Sequence, residues 1–214
     1  MSNKQSTFWS TVTMVQLGIL AAIILVMNLT PLGFLKVGPL SISFLMLPVA
    51  IGGIICGPFG GAILGMLFGI LSFSQCLGSD AFGTTLFGIN PFATFIMCVV
   101  SRMLAGFLSG LIFKAIAKFD KTKVLSFSVS TLSAALLNTF FFIGSLILFF
   151  GKTEYIIGLM DGASLGKFIV GFVGLNGVVE AIVCCIVGAA ISKALAVFIP
   201  SNKAKFDTNE TNIY

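Results

Sequence analysis

The sequence predicts an all-α integral membrane protein: six transmembrane helices in one bundle, with both termini in the cytoplasm. Three observations carry this reading. Of 214 residues, 57 % are hydrophobic and only 9 % charged, against about 45–50 % and about 25 % in soluble domains. The mean hydropathy is +1.13. Apolar runs near the roughly 20 residues needed to cross a bilayer recur along the whole chain. A soluble globule of this length has no interior large enough for so much apolar surface. Disorder is excluded for the converse reason, since it requires low hydrophobicity and high charge.

The elements follow in order. The first span is read at residues 8–29, ended by Pro31 and Gly33. With only Lys4 ahead of it and no small-residue cleavage site behind it, it reads as an uncleaved helix and not a signal peptide. The second span is read at 41–56 and stops at Gly57-Pro58, and the third at 59–77. A polar loop, 78–85, separates it from the fourth span at 91–119, where Pro91 suits the first helical turn. The fifth is read at 124–150, followed by a charged loop at 151–161. The sixth runs over 165–199 and ends at Pro200. Residues 1–200 therefore read as one membrane domain, and 201–214 as a polar, mobile tail.

Charge sets the orientation. Of 12 Lys and Arg residues against 7 Asp and Glu, eight lysines (4, 114, 118, 121, 123, 193, 203 and 205) fall on one side of a six-span chain. Three (36, 152 and 167) fall on the other. The positive-inside rule puts the richer side, and both termini, in the cytoplasm. The net charge of +5 is thus a topology signal rather than a nucleic-acid signal. The chain has no His, which removes histidine acid–base chemistry and His-ligated metals or haem. Its five Cys lie in apolar stretches without a C-x-x-C pair and read as small buried residues. No metal or cofactor is expected.

Chemistry within the bilayer narrows to a few residues. Arg102 falls about ten residues into the fourth span, near 15 Å deep at about 1.5 Å per residue. A charge at mid-membrane costs at least about 2.5–3.5 kcal/mol on insertion scales, so it faces the bundle interior and has a partner. Glu180 in the sixth span is the acid at comparable depth. Two readings stand: an Arg102–Glu180 ion pair that sets helix packing, or an arginine whose planar fork binds a carboxylate or phosphate of a ligand. Asn138 and Asn176 are mid-membrane amides, suited to interhelical hydrogen bonds or to ligand contact. Asn90 either caps the fourth helix or belongs to a lid formed by 83–90.

Small residues form a second pattern. Gly57, Gly61, Gly65 and Gly69 are spaced by four, and Gly106 and Gly110 repeat the spacing. In a helix such residues line one face and admit close backbone approach. This predicts tight packing or a sliding surface. Gly18 and Ala22 are a smaller version on the first span. Gly151-Lys152-Thr153 imitates the end of a Walker A loop, but the position that needs the first Gly is Leu146. The chain therefore carries no nucleotide site. No nucleophile–base pair stands out, so a binding protein for a small anionic solute fits better than an enzyme.

The chain resembles the S component, the substrate-binding subunit, of an energy-coupling factor (ECF) vitamin transporter, over about residues 12–200. The likeness is carried by Leu32-Gly33-Phe34-Leu35-Lys36-Val37-Gly38-Pro39-Leu40-Ser41-Ile42, Leu47-Pro48 and Cys56-Gly57-Pro58-Phe59-Gly60-Gly61-Ala62. The run from Arg102 to Leu111 and Asn176-Gly177-Val178-Val179-Glu180-Ala181 extend it. Together they look like the pantothenate-type subgroup. The resemblance implies a six-helix subunit with its ligand site near the outer face, closed in part by the loops between spans 1 and 2 and between spans 3 and 4. It implies that Arg102 and Asn138 contact the ligand; Asn176 and Glu180 extend that set on chemical grounds. It also implies docking on a transmembrane coupling subunit through an Ala-x-x-x-Ala-type motif. Gly18 and Ala22 stand at those positions, and the glycine departs from the pattern while keeping close approach possible. Two ATPase subunits would supply energy, and the S component would topple in the membrane to deliver its ligand. A competing reading is another vitamin: folate, riboflavin, cobalamin or a queuosine precursor. A remote one is a membrane-embedded enzyme or scaffold.

Overall fold

The computed structural model describes residues 10–30, 33–37, 40–120, 124–160 and 181–187, together with residue 190. Most of the expected sixth span, with Asn176 and Glu180, lies outside these residues, as does the tail at 201–214. Residues 181–187 are helical.

Helix α1 (Thr11–Leu29) begins at Ser10, whose side chain accepts the Val12 N–H. The bundle is helical as expected, with one short hairpin between its first two helices. Strands β1 (Phe34–Val37) and β2 (Leu40–Ser43) pair antiparallel, Phe34 opposite Ser43 and Val37 opposite Leu40. The reason is local: Leu-Ser-Ile-Ser alternates apolar and polar residues, a period of two and not 3.6. Helix α2 (Met46–Ile55) thus starts five residues later than expected and has ten residues. At about 15 Å it covers half of a bilayer core.

Helix α3 (Pro58–Gln75) follows after Gly57. The expected polar loop over 78–85 is instead mostly helix, α4 (Ala81–Ile89), started by Asp80, whose carboxylate accepts the Gly83 N–H at 2.8 Å. Helix α5 (Pro91–Ala117) is continuous but includes a π-helical turn over Ile96–Val100. Helix α6 (Val124–Phe150) matches its expected bounds, and a short helix, α7 (Glu154–Met160), occupies part of the charged loop after it. Among the described residues four helices are long and apolar enough to cross a membrane: α1, α3, α5 and α6, the last counted from Leu125.

Polar contacts show how the helices run. Near the start of α1, Gln16 meets the Cys56 thiol between α2 and α3 at 3.9 Å. At the other end, Gln75 of α3 donates to Asn28 of α1 at 2.8 Å. The two helices are therefore parallel, with α2 returning between them. Helices α5 and α6 are antiparallel: Ser101 pairs with Ser145 at 3.3 Å, Ser130 donates to the Ser109 carbonyl at 2.8 Å, and Phe113 stacks edge-on against Phe127.

The closest packing joins α3 to α5. A Cβ on Gly61 would strike the Gly106 carbonyl, and one on Gly65 would strike the Arg102 carbonyl. One on Gly69 would lie 2.6 Å from the Cα of Val99. Gly110 in turn leaves room for Pro58. Only glycine lets these backbones meet. Gly57 does not belong to this contact, although its spacing points there. It precedes the helix, has φ 81°, and a methyl group added to it would meet nothing within 4 Å. Its role is the left-handed turn between α2 and α3, which costs glycine nothing.

Replacing Gly65 by Leu forces backbone apart in a filled interface, an overpacking cost of about 1–3 kcal/mol. Thermal denaturation in detergent should show a clear loss of stability for Gly65→Leu. Gly18→Leu should melt like the parent, because Gly18 faces open space.

Candidate functional site

The site is built around Arg102, two residues after the π-helical segment of α5 and only 8 % exposed. A π turn holds one more residue than an α turn and recurs at functional sites. Its effect here is local to Arg102: the guanidinium Nη1 donates to the Cys98 carbonyl within that turn at 3.0 Å. The Nε atom is buried and has no hydrogen-bond partner among the described residues. Two rings flank the guanidinium. The guanidinium carbon lies 4.7 Å from the centroid of Phe68 on α3 and 5.8 Å from that of Phe142 on α6.

Phe68 is fully buried and belongs to an apolar cluster with Leu20, Ile24, Met46, Val49 and Leu64. Phe142 packs against a second cluster formed by Cys76, Phe82, Leu86, Met97, Leu146 and Ile156. Arg102 thus sits where the two clusters meet. The second cluster ties α4 and α7 to one end of the bundle, and Phe82 and Tyr155 have ring centroids 6.1 Å apart.

Asn138 on α6 is also 8 % exposed, and its Oδ1 is buried without a hydrogen-bond partner among the described residues. It lies one helical turn before Phe142, so it shares the face that carries the ring over Arg102. A buried unpaired amide oxygen or guanidinium N–H carries a penalty of about 1–3 kcal/mol or more. Among the described residues, one donor and one acceptor are therefore unmet in the bundle interior, on facing helices.

Asn90 has a different role. It is exposed, its Oδ1 accepts the Ala93 N–H at 3.0 Å, and its carbonyl accepts from the Thr94 hydroxyl at 2.9 Å. It caps α5 about 18 Å along the helix from Arg102, at about 1.5 Å per residue. The lid expected over 83–90 is helix α4. Asn176 and Glu180 lie outside the described residues. The acids among the described residues are committed elsewhere or exposed: Asp80 caps α4, Asp120 accepts from the Ser126 N–H and hydroxyl, and Glu154 is exposed in the first turn of α7.

Phe68, Phe142 and the Cys98 carbonyl are not singled out by sequence. Among 23 Phe residues nothing marks these two. The available signals are positional: Phe68 is three residues after Gly65, and Phe142 is four after Asn138. Gly18 and Ala22 lie together on the exposed face of α1, among the exposed Val15, Ile19 and Val26. No group of three or more potential metal ligands occurs among the described residues.

The chain matches the model of the family described as ECF transporter, substrate-specific component, over residues 12–192, and it belongs to that family. No match is found among curated proteins. Membership makes the chain a substrate-specific membrane subunit of an ECF transporter, a multi-pass integral membrane protein and a transport subunit, not an enzyme. It takes a small-molecule substrate and works with an ECF module.

Loss of the α5 cap in Asn90→Ala should lower stability by about 1 kcal/mol. Asn90→Asp should restore most of it, since aspartate offers the same acceptor. Thermal denaturation of the three proteins measures both effects.

Proposed function

We propose that this subunit binds pantothenate at high affinity for ECF-driven uptake across the cell membrane. The observation that carries the reading is a pair of buried polar atoms inside the bundle that are unmet among the described residues, the Arg102 Nε donor and the Asn138 Oδ1 acceptor. Pantothenate offers a carboxylate for the first, and hydroxyl and amide donors for the second. A guanidinium–carboxylate contact in a dry site is short, charge-assisted and geometrically selective. Asn176 and Glu180 extend the ligand set on the chemistry of their residue types, serving the amide and hydroxyls or orienting Arg102.

The rest of the assembly follows from the same reading. Gly18 and Ala22 are the docking positions for the transmembrane coupling subunit, a role supported by their exposure on α1. Small residues there allow a close helix–helix approach in lipid. Two ATPase subunits power the cycle, and both termini face the cytoplasm. The β1–β2 hairpin and α4 take the places of the loops that cover the ligand.

Calorimetric titration of detergent-purified protein with pantothenate should give a dissociation constant of about a micromolar or tighter, within the range of specific binding. Arg102→Ala should abolish it. Unchanged affinity in that variant would remove Arg102 from the site, and absence of binding in the parent would remove pantothenate. A competition screen with the other vitamins then names the ligand. Gly18→Leu and Ala22→Leu should bind ligand as the parent does but lose co-purification with the coupling subunit and uptake in cells.

A further inference from the structure

We propose that Phe68 and Phe142 are positioning residues for Arg102: they hold the guanidinium by its faces and leave its Nε edge for a carboxylate of the ligand. The proposal rests on the reading of Arg102 as the ligand's anchor.

A guanidinium donates its hydrogen bonds in its own plane, while its two faces carry none. An aromatic ring presents a negative face that stabilises a cation within about 6 Å of its centroid. Both rings meet that condition, at 4.7 and 5.8 Å. Neither takes an N–H. An acid in their place would neutralise the charge by accepting from the same edge that an incoming carboxylate needs. Among the described residues the acids are at helix ends or exposed and leave that edge alone. The Cys98 carbonyl engages Nη1 only. The buried Nε–H therefore remains unpaired among the described residues, and with its neighbouring amino group it forms one side of the fork that binds carboxylate in a bidentate manner.

The ring of Phe68 cannot easily withdraw. It is fully buried, and Gly65 and Gly69 on the same helix hold the α3 backbone directly against Arg102, Cys98 and Val99. The glycine contact thus sets the height of the ring over the guanidinium. A neutral ligand at this edge offers only uncharged acceptors to the N–H pair, and a cationic ligand is repelled. A carboxylate meets both the charge and the geometry.

The test uses full-length protein in detergent, with phenylalanine at 68 replaced by its mono-, di- and trifluorinated forms. Fluorine drains charge from the ring face with little change of shape. In ligand-free protein the melting temperature should fall step by step with fluorination, by several degrees for the trifluoro form. In an Arg102→Met background the steps should vanish. Pantothenate affinity should fall roughly fivefold at the trifluoro form, as expected for the loss of a modest cation–π contact. Equal melting series in the two backgrounds would overturn the positioning role. For ligand class, pantothenol keeps the amide and hydroxyls but carries an alcohol in place of the carboxylate. It should bind at least a hundredfold more weakly than pantothenate, and comparable binding would overturn the anion selection. If the parent protein binds neither compound, the pantothenate reading falls, and the ligand-free melting series still decides whether the rings hold Arg102.

Discussion

The arrangement depends on how closely α3 can approach α5. Gly61, Gly65 and Gly69 let one backbone lie directly on the other, against Gly106, Arg102, Cys98 and Val99. In lipid there is no hydrophobic drive to bring helices together, so van der Waals contact and shape decide association. The same contact carries Phe68 over the guanidinium of Arg102. Structural packing and the charged centre of the protein are therefore one feature: the spacing of two backbones is also the spacing of a ring and a cation.

Arg102 shows how a bilayer protein handles a charge that lipid cannot solvate. Its nearest support among the described residues consists of a carbonyl one turn back and two aromatic rings, a set that stabilises the cation without saturating its donors. Asn138 is the complementary case, an acceptor on a facing helix with no partner among the described residues. In a soluble protein water would meet both groups. Here the described surfaces nearby are apolar clusters, so these two atoms call for polar partners of matching kind. That polarity is suited to recognising a solute, the task of a substrate-specific subunit.

Much of the fold is legible from composition and period. The bounds of α3, α5 and α6 follow from long apolar runs punctuated by Gly57-Pro58, Asn90-Pro91 and a lysine-rich link. The departures are in the short segments. The β1–β2 hairpin lies mostly in the link expected between spans 1 and 2, and its residues 41–43 take the place of the expected start of span 2, because four alternating residues are too few to stand out from the apolar run that follows. Helix α4 is hidden by its Gly and Thr content; its start depends on the Asp80 cap. Gly57 falls on a four-residue repeat by spacing alone, and its positive φ assigns it to a turn. Asn90 is polar for a local reason, since a helix end must satisfy its first N–H groups.

The sequence by itself determined that the chain lives in lipid, which residues are too polar to sit there idly, and that four-residue glycine spacing marks a close helix contact. These are properties of single residues and of one-dimensional spacing. Only the tertiary structure decided what surrounds Arg102. Phe68 and Phe142 come from helices separated from it and from each other by tens of residues, and they are chemically identical to the chain's other phenylalanines. Their meeting over one guanidinium depends on the crossing of three helices, which in lipid is set by backbone approach at the glycines and cannot be read from the order of residues alone.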